Sequence, residues 1–307
     1  MKLLVSGPEW IDIDAYACIV AYGDFLQNQK KEIVKCLLNI PYSPTITKSL
    51  LDLPLPELKI VNSYSNEDNL VLLDISGRTY IERFYNINNI IELWDHRKWH
   101  EIYRKELLQD KSHIELVWSC TTLIYEHIKQ YWKLEYLHDT SLLLLYAGTI
   151  SNTLNLQSSV TTDRDKTCCK ALQYYLNIPD TWAEHYFKDI QSMLTSNIPL
   201  YLSLETKYES FLWAETMIVQ CELRDSNLFI QKKLQDLQDY IASGKTSSYG
   251  FFTSPSIKEN CNYIVCSDIV LQKKISNIIN IHFDGIVWKT DKIRLRKELL
   301  SLSNLSL

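Results

Sequence analysis

Glycine is scarce in this chain, with 7 among 307 residues, and the sequence is instead rich in Ile, Asn, Lys and Tyr. That bias reflects base composition rather than function. No G-x-x-x-x-G-K, G-x-G-x-x-G or G-x-S-x-G occurs, so kinase, dinucleotide and serine-hydrolase readings lack support. No apolar run approaches the length of a membrane span. No long basic run accompanies the net charge of -5, which disfavours nucleic acid as the main partner. The 8 cysteines form no C-x-x-C pair, and adjacent Cys168-Cys169 is a poor disulfide unit. Met1 to Val5 reads as a short strand rather than a secretory signal. Reduced thiols in a cytoplasmic protein are the expectation.

What is present is globular: 46% hydrophobic and 22% charged residues. The length fits two domains. Leu3 to Ser6 is an apolar strand closed by Gly7-Pro8, and Ile13 to Gln27 follows with helical spacing. Ile33 to Leu38 and Leu58 to Val61 are further strand candidates. Asn69 to Leu73 and Ile90 to Trp94 are buried-type strands that end on Asp74 and Asp95, and His113 to Val117 is a weaker one. Helical patterns cover Cys120 to Trp132, Leu142 to Ile150, Asp163 to Leu176 and Pro179 to Thr195. Strands alternating with helices predict an α/β fold with a mainly parallel sheet and flanking helices. Ser196-Asn197-Ile198-Pro199 breaks the helical run and is the linker candidate. It divides a first domain over 1–195 from a smaller C-terminal α/β domain over 200–307. In the latter, Phe211 to Cys221 and Tyr263 to Cys266 read as strands, and Asn227 to Ala242 and Lys292 to Leu302 as helices.

Ligands of such sheets bind at the carboxyl ends of the strands. Three acidic loops lie there: Asp12 with Asp14, Asp74, and Asp95 with His96. Hard divalent cations need anionic oxygens, and a two-metal site with ions about 3.5–4 Å apart needs a bridging carboxylate. Asp74 suits the bridge, His96 offers a nitrogen ligand, and Asp95 is placed to orient it. The bland reading is that each Asp merely caps a helix or forms a turn. Several acidic loops in register with strand ends favour a site.

Gly7 to Ala15 (GPEWIDIDA), Asp74, Asp95-His96-Arg97 and Gly148 to Thr153 (GTISNT), in this order and spacing, resemble the successive motifs of the DHH phosphoesterase superfamily. The run Ser151 to Asp165 is most like the manganese-dependent (family II) inorganic pyrophosphatases, with exopolyphosphatases and Prune-type proteins as cousins. The resemblance covers nearly the whole chain. It implies a metal-binding first domain, a substrate-binding second domain of the DHHA2 type and a cleft between them. It implies one or two ions of Mn²⁺, Mg²⁺ or Co²⁺, held by Asp12, Asp14, Asp74, His96 and the residue at 152. The implied reaction is hydrolysis of a phosphoanhydride by a metal-activated water, in a monomer or homodimer. The substrate would be pyrophosphate, short polyphosphate or a nucleotide phosphate. Arg97, Lys207 and a C-terminal basic residue would grip phosphate: Lys292 first, with Lys289 and Arg294 beside it.

Three departures mark this sequence. Pro8 stands where the pyrophosphatases carry a histidine ligand. Arg97 replaces the second histidine of the signature, and an arginine fork also serves phosphate. Asn152 replaces an aspartate ligand and brings no charge, so one tightly held and one weak metal are expected. The alternative is a weak or inactive relative that binds phosphate compounds or a protein partner. Among the other residues, Thr161 to Arg164 read as a helix N-cap with first-turn polar groups. Trp10 and Trp94 read as packing residues, and His100 as a minor candidate beside His96.

Overall fold

A computed structural model describes the chain except residues 8, 39–40, 98–107, 132, 213, 245–248, 280–284 and 306–307, and the side chains of 304–305. Pro8 and His100 therefore lie outside the described residues. Two compact units result: Met1–Leu156 with Val160–Trp182, and Gln157–Ser159 with Ala183–Leu307.

The first unit begins with β1 (Lys2–Val5), α1 (Ile13–Gln29), β2 (Val34–Leu37), α2 (Lys48–Leu51), β3 (Lys59–Val61) and β4 (Asn69–Leu73). It continues through α3 (Arg78–Phe84), β5 (Ile90–Asp95), β6 (Ser112–Ile114), α4 (Cys120–Tyr131), α5 (Asp139–Asn152) and α6 (Asp163–Tyr175). Its strands form one sheet in the order β3-β2-β1-β4-β5-β6, and every pairing is parallel. Parallel strands are covered on both faces, which is why β1 and β4 are continuous apolar runs (Leu3-Leu4-Val5, Leu70 to Leu73) rather than alternating ones. One face carries the cluster of Leu3, Val5, Leu70, Leu72, Ile81, Leu93 and Ile114. α1 is buried almost all round from Ile13 to Leu26 and packs mainly against α5 and α4. The strand order reverses between β1 and β4. The crevice outside their carboxyl ends is the place such folds offer to ligands.

The second unit contains α7 (Trp182–Ser196), α8 (Ile198–Glu205), β7 (Thr206–Phe211), β8 (Ala214–Gln220), α9 (Ser226–Ala242), β9 (Tyr249–Ser256), β10 (Cys261–Val265), α10 (Ile269–Ile279), β11 (Val287–Lys289) and α11 (Arg296–Leu305). Its sheet runs β11-β10-β9-β8-β7, with β8–β9 parallel and the other pairs antiparallel. Side chains alternate across it as the two-residue strand period requires. Met217, Val219, Phe252, Tyr263 and Val265 face α7, α8 and α9, while Ile218, Phe251 and Ile264 face α10 and α11.

The break read at 196–199 falls inside the second unit. Ser196 ends α7, Asn197 caps α8 by accepting from the Leu200 N–H at 3.3 Å, and Pro199 sits in the first turn. Leu194 of α7 already belongs to the second unit's core. The strand read over Phe211 to Cys221 is β8 with the last residue of β7 before it; β7 and β8 pair antiparallel, and Leu212, just after β7, has φ 64. All eight cysteines are free and buried. No described helix is long and apolar enough to cross a membrane.

Candidate metal centre

Asp12 is the N-cap of α1, its Oδ1 accepting from the Ala15 N–H at 3.0 Å. Its capping role and its place beside the strand ends coexist. Asp14, in the first turn of α1, is fully buried. Its Oδ1 accepts from Ser119 Oγ at 2.8 Å and the Thr121 N–H at 2.9 Å, and its Oδ2 from the Cys120 N–H at 2.9 Å and from Asn152 Nδ2. Three of these donors come from the start of α4, where backbone N–H groups favour an anion. The fourth comes from the end of α5. That helix passes close because residue 148 is glycine: a Cβ there would lie 2.7 Å from Thr121 Cγ2 and 3.4 Å from Asp14 Cα.

Asp74 follows β4 in the left-handed region at φ 56, and its N–H donates to Trp94 O at 2.9 Å. Asp tolerates that conformation better than most residues. The loop after β5 is organised by Asp95, whose Oδ1 accepts from the backbone N–H of His96 at 2.6 Å and of Arg97 at 3.2 Å. This is an Asx turn. The bond to His96 runs to its backbone, not to its ring as the sequence reading expects. Arg97 folds back over the same carboxylates, with Nη1 at 2.9 and 3.0 Å from Asp95 and 3.2 Å from both Asp74 O and Oδ1. His96 is buried, and its Nε2 lies 3.4 Å from Asp74 Oδ1.

Ligand atoms of Asp14, Asp74 and His96 all fall within 4.8 Å of one another. Two carboxylates and an imidazole suit a divalent cation of the Mn²⁺, Mg²⁺ or Co²⁺ type. The electrostatics agree. Burial, then Asp74, pushes Asp12 up to about 6, against the Ala15 N–H, Arg97 and His96. Burial, with Asp74 and Asp12, holds Asp14 well above the usual carboxylate range. Burial alone would lower the Arg97 pKa, but Asp74 and Asp95 outweigh it and hold the guanidinium above its usual value. Crowded carboxylates of this kind are relieved by a bound cation.

Behind the centre stands a residue the sequence reading passes over. Asp165, fully buried, accepts from the Trp118 N–H at 3.1 Å, Thr122 Oγ1 at 2.7 Å and Thr162 Oγ1 at 2.6 Å. It closes a capping box with Thr162 and fixes the segment that delivers Ser119 to Thr121. The pattern T-x-x-D before a helix is its signal. Just past Asn152, Leu154, Asn155 and Leu156 all have φ between 53 and 63, a strained turn of the kind found near functional sites.

The basic candidates lie in the second unit. Lys207 is on β7 and exposed, as is Lys292. Lys289 Nζ pairs with Glu259 Oε1 at 2.9 Å, and Arg294 Nη1 with Asp291 Oδ1 at 2.7 Å. The backbone bearing Lys292 and Arg294 is held by buried Asn262. Its Nδ2 donates to Arg294 O at 2.6 Å, and its Oδ1 accepts from the Arg294 N–H at 3.0 Å.

No family model and no curated protein matches the chain. Among solved structures it is similar to a putative family II inorganic pyrophosphatase of Methanococcus jannaschii. That match has 18% identity and a TM-score of 0.68, covering 99% of this chain and 100% of that one. An exopolyphosphatase-related protein of Bacteroides fragilis matches at 11% identity and TM-score 0.48, over 99% of this chain and 91% of that one. At these identities the likeness is one of fold: the chain has the α/β architecture of the Methanococcus jannaschii protein along its whole length.

Proposed function

We propose that the chain is a divalent-metal-dependent phosphohydrolase acting on a phosphoanhydride: pyrophosphate, short polyphosphate or a nucleotide phosphate. The observation that carries this is the convergence of Asp14, Asp74 and His96, with Asp12 and Arg97 beside them, at the point where the strand order reverses. The fold shared with the putative pyrophosphatase supports it. Asp74 and His96 would hold the cation, with Asp12 and Asp14 lending negative charge. Such a cation supplies Lewis-acid polarisation of phosphate and activation of water. Arg97, fixed by Asp95, presents a guanidinium for a phosphate oxygen and stabilises the charge that develops there. Lys207, Lys292, Lys289 and Arg294 of the second unit would serve as its phosphate-binding groups. The eight free thiols support a reducing compartment such as the cytoplasm.

A second reading, a binding protein of weak or no activity, is favoured by Asn152, which donates to Asp14 where an acidic ligand is expected. Phosphate release from pyrophosphate, tripolyphosphate and nucleotides, each with Mn²⁺, Mg²⁺ and Co²⁺, separates the two. Turnover with at least one pair is expected, reduced at least 100-fold in Asp74→Asn and His96→Ala, by about 2.7 kcal/mol or more of transition-state stabilisation. No turnover with any pair, while pyrophosphate still binds, selects the second reading.

A further inference from the structure

A carboxylate offers about four lone-pair sites, two on each oxygen. Asp14 has both oxygens engaged twice: Oδ1 by Ser119 Oγ and the Thr121 N–H, Oδ2 by the Cys120 N–H and Asn152 Nδ2. Cys18 Sγ also lies 4.0 Å from Oδ1. The Asn152 group facing Asp14 must be its NH₂, because its carbonyl there would set oxygen against oxygen. Proximity to Asp74 and His96 thus gives Asp14 a ligand's position while its neighbours fill its ligand's capacity. On the other side, Arg97 Nη1 lies against Asp74 Oδ1 and both oxygens of Asp95, and so brings a fixed positive charge into the cluster.

We infer that Asn152 serves this chain as a hydrogen-bond donor to Asp14 rather than as a metal ligand, and that together with Arg97 it restricts the centre to a single divalent ion. This rests on the metal-site reading above. A second ion about 3.5–4 Å from the first needs shared carboxylates. The Asp14 oxygen that would serve a second ion is held by the Asn152 amide, and Asp74, the expected bridge, already answers to Arg97. Asn152→Asp removes the donor, vacates that position on Oδ2 and adds an anion in one change.

The test is titration of the full chain with Mn²⁺, read by calorimetry and by electron paramagnetic resonance. Wild type should bind one ion per chain and give the hyperfine pattern of an isolated Mn²⁺. Asn152→Asp should bind two and give the spectrum of a spin-coupled pair. Two coupled ions in wild type, or one ion in a folded Asn152→Asp, overturns the inference and leaves the metal-site reading standing. No Mn²⁺ bound to wild type removes both. If Asn152→Asp does not fold, the wild-type stoichiometry alone decides.

Discussion

Asp14 is tolerated in a fully buried position because its neighbours supply hydrogen-bond donors, and Gly148 is what lets α5 come near enough to help. A methyl group at 148 meets Thr121 Cγ2 at 2.7 Å, and the β-branched Thr121 has little freedom to yield. Gly148→Ala should therefore lower stability by about 1–3 kcal/mol, despite alanine's better helix propensity. Urea unfolding that leaves the midpoint unchanged would refute this account of the close approach. A second residue-scale expectation concerns His127, boxed by Trp94, Phe25, Tyr22 and His113. Burial first, with His113 and Lys30, lowers its pKa to about 4 against the pull of Glu92. The unfolded chain, with an ordinary histidine pKa near 6.5, then binds the proton more readily. Stability is full above pH ~6.5 and falls as pH drops toward ~4, by about 1–2 kcal/mol from this group, because solvent reaches the half-buried ring and screens part of the shift. His127→Phe keeps the ring and should flatten that part of the curve. Unfolding free energies that track wild type from pH 7 to 4 would exclude His127 as the cause. At this scale Asp12, Asp74 and His96 are legible in the sequence because a strand end announces each. Ser119 and Thr121 are not, because their partner Asp14 lies 105 and 107 positions away. Nothing local marks such a pairing.

Elements were legible where burial leaves a continuous apolar run, and illegible where polar residues are buried in pairs. β1, β4 and β5 stand almost where the runs Leu3 to Ser6, Asn69 to Leu73 and Ile90 to Trp94 place them. β9, the middle strand of the second sheet, escapes the reading. Its Ser254, Pro255 and Ser256 are turn-formers by composition, yet all are buried, with Ser254 Oγ donating to Cys221 O at 2.7 Å. α10 is likewise missed because its buried stripe is short: Leu271, Ile275 and Ile279. The start of α6 tests how far an N-cap signal reaches. If Asp165 only completes a capping box, Thr162→Ala and Asp165→Ala should cost the same, about 1 kcal/mol each. The geometry gives Asp165 more, since its removal also orphans the Trp118 N–H and Thr122 Oγ1. Asp165→Ala should cost about 3 kcal/mol, two to three times the Thr162→Ala penalty. Equal shifts in urea midpoint would reduce Asp165 to an ordinary cap. A larger one, accompanied by weaker Mn²⁺ binding, would show that the start of α4 depends on it.

At the scale of the whole molecule, the chain holds two sheets with separate cores: one built around Leu3, Leu70 and Leu93, the other around Met217, Phe251 and Phe252. A reading based on helix-breaking residues puts the division at 196–199, but packing puts it between Trp182 and Ala183. Proline and asparagine mark where a helix ends, not which core the helix joins. The proposed metal ligands all belong to the first unit, and the candidate phosphate-binding lysines to the second. Ligand binding stabilises the folded form by RT ln(1 + [L]/Kd), and local opening is slowed by the same factor where the opening destroys the site. At a free Mn²⁺ concentration near 100 times Kd, amides of β1, β4, β5 and the first turns of α1 and α4 should exchange about 100-fold more slowly. Those of β8, β9 and β10 should keep their metal-free rates. His96→Ala should abolish the effect at the same Mn²⁺ concentration. Protection spread equally over both sheets would mean that metal binding is not confined to the centre at the ends of β1, β4 and β5. Protection confined to β8, β9 and β10 would put the ion among the wrong residues altogether.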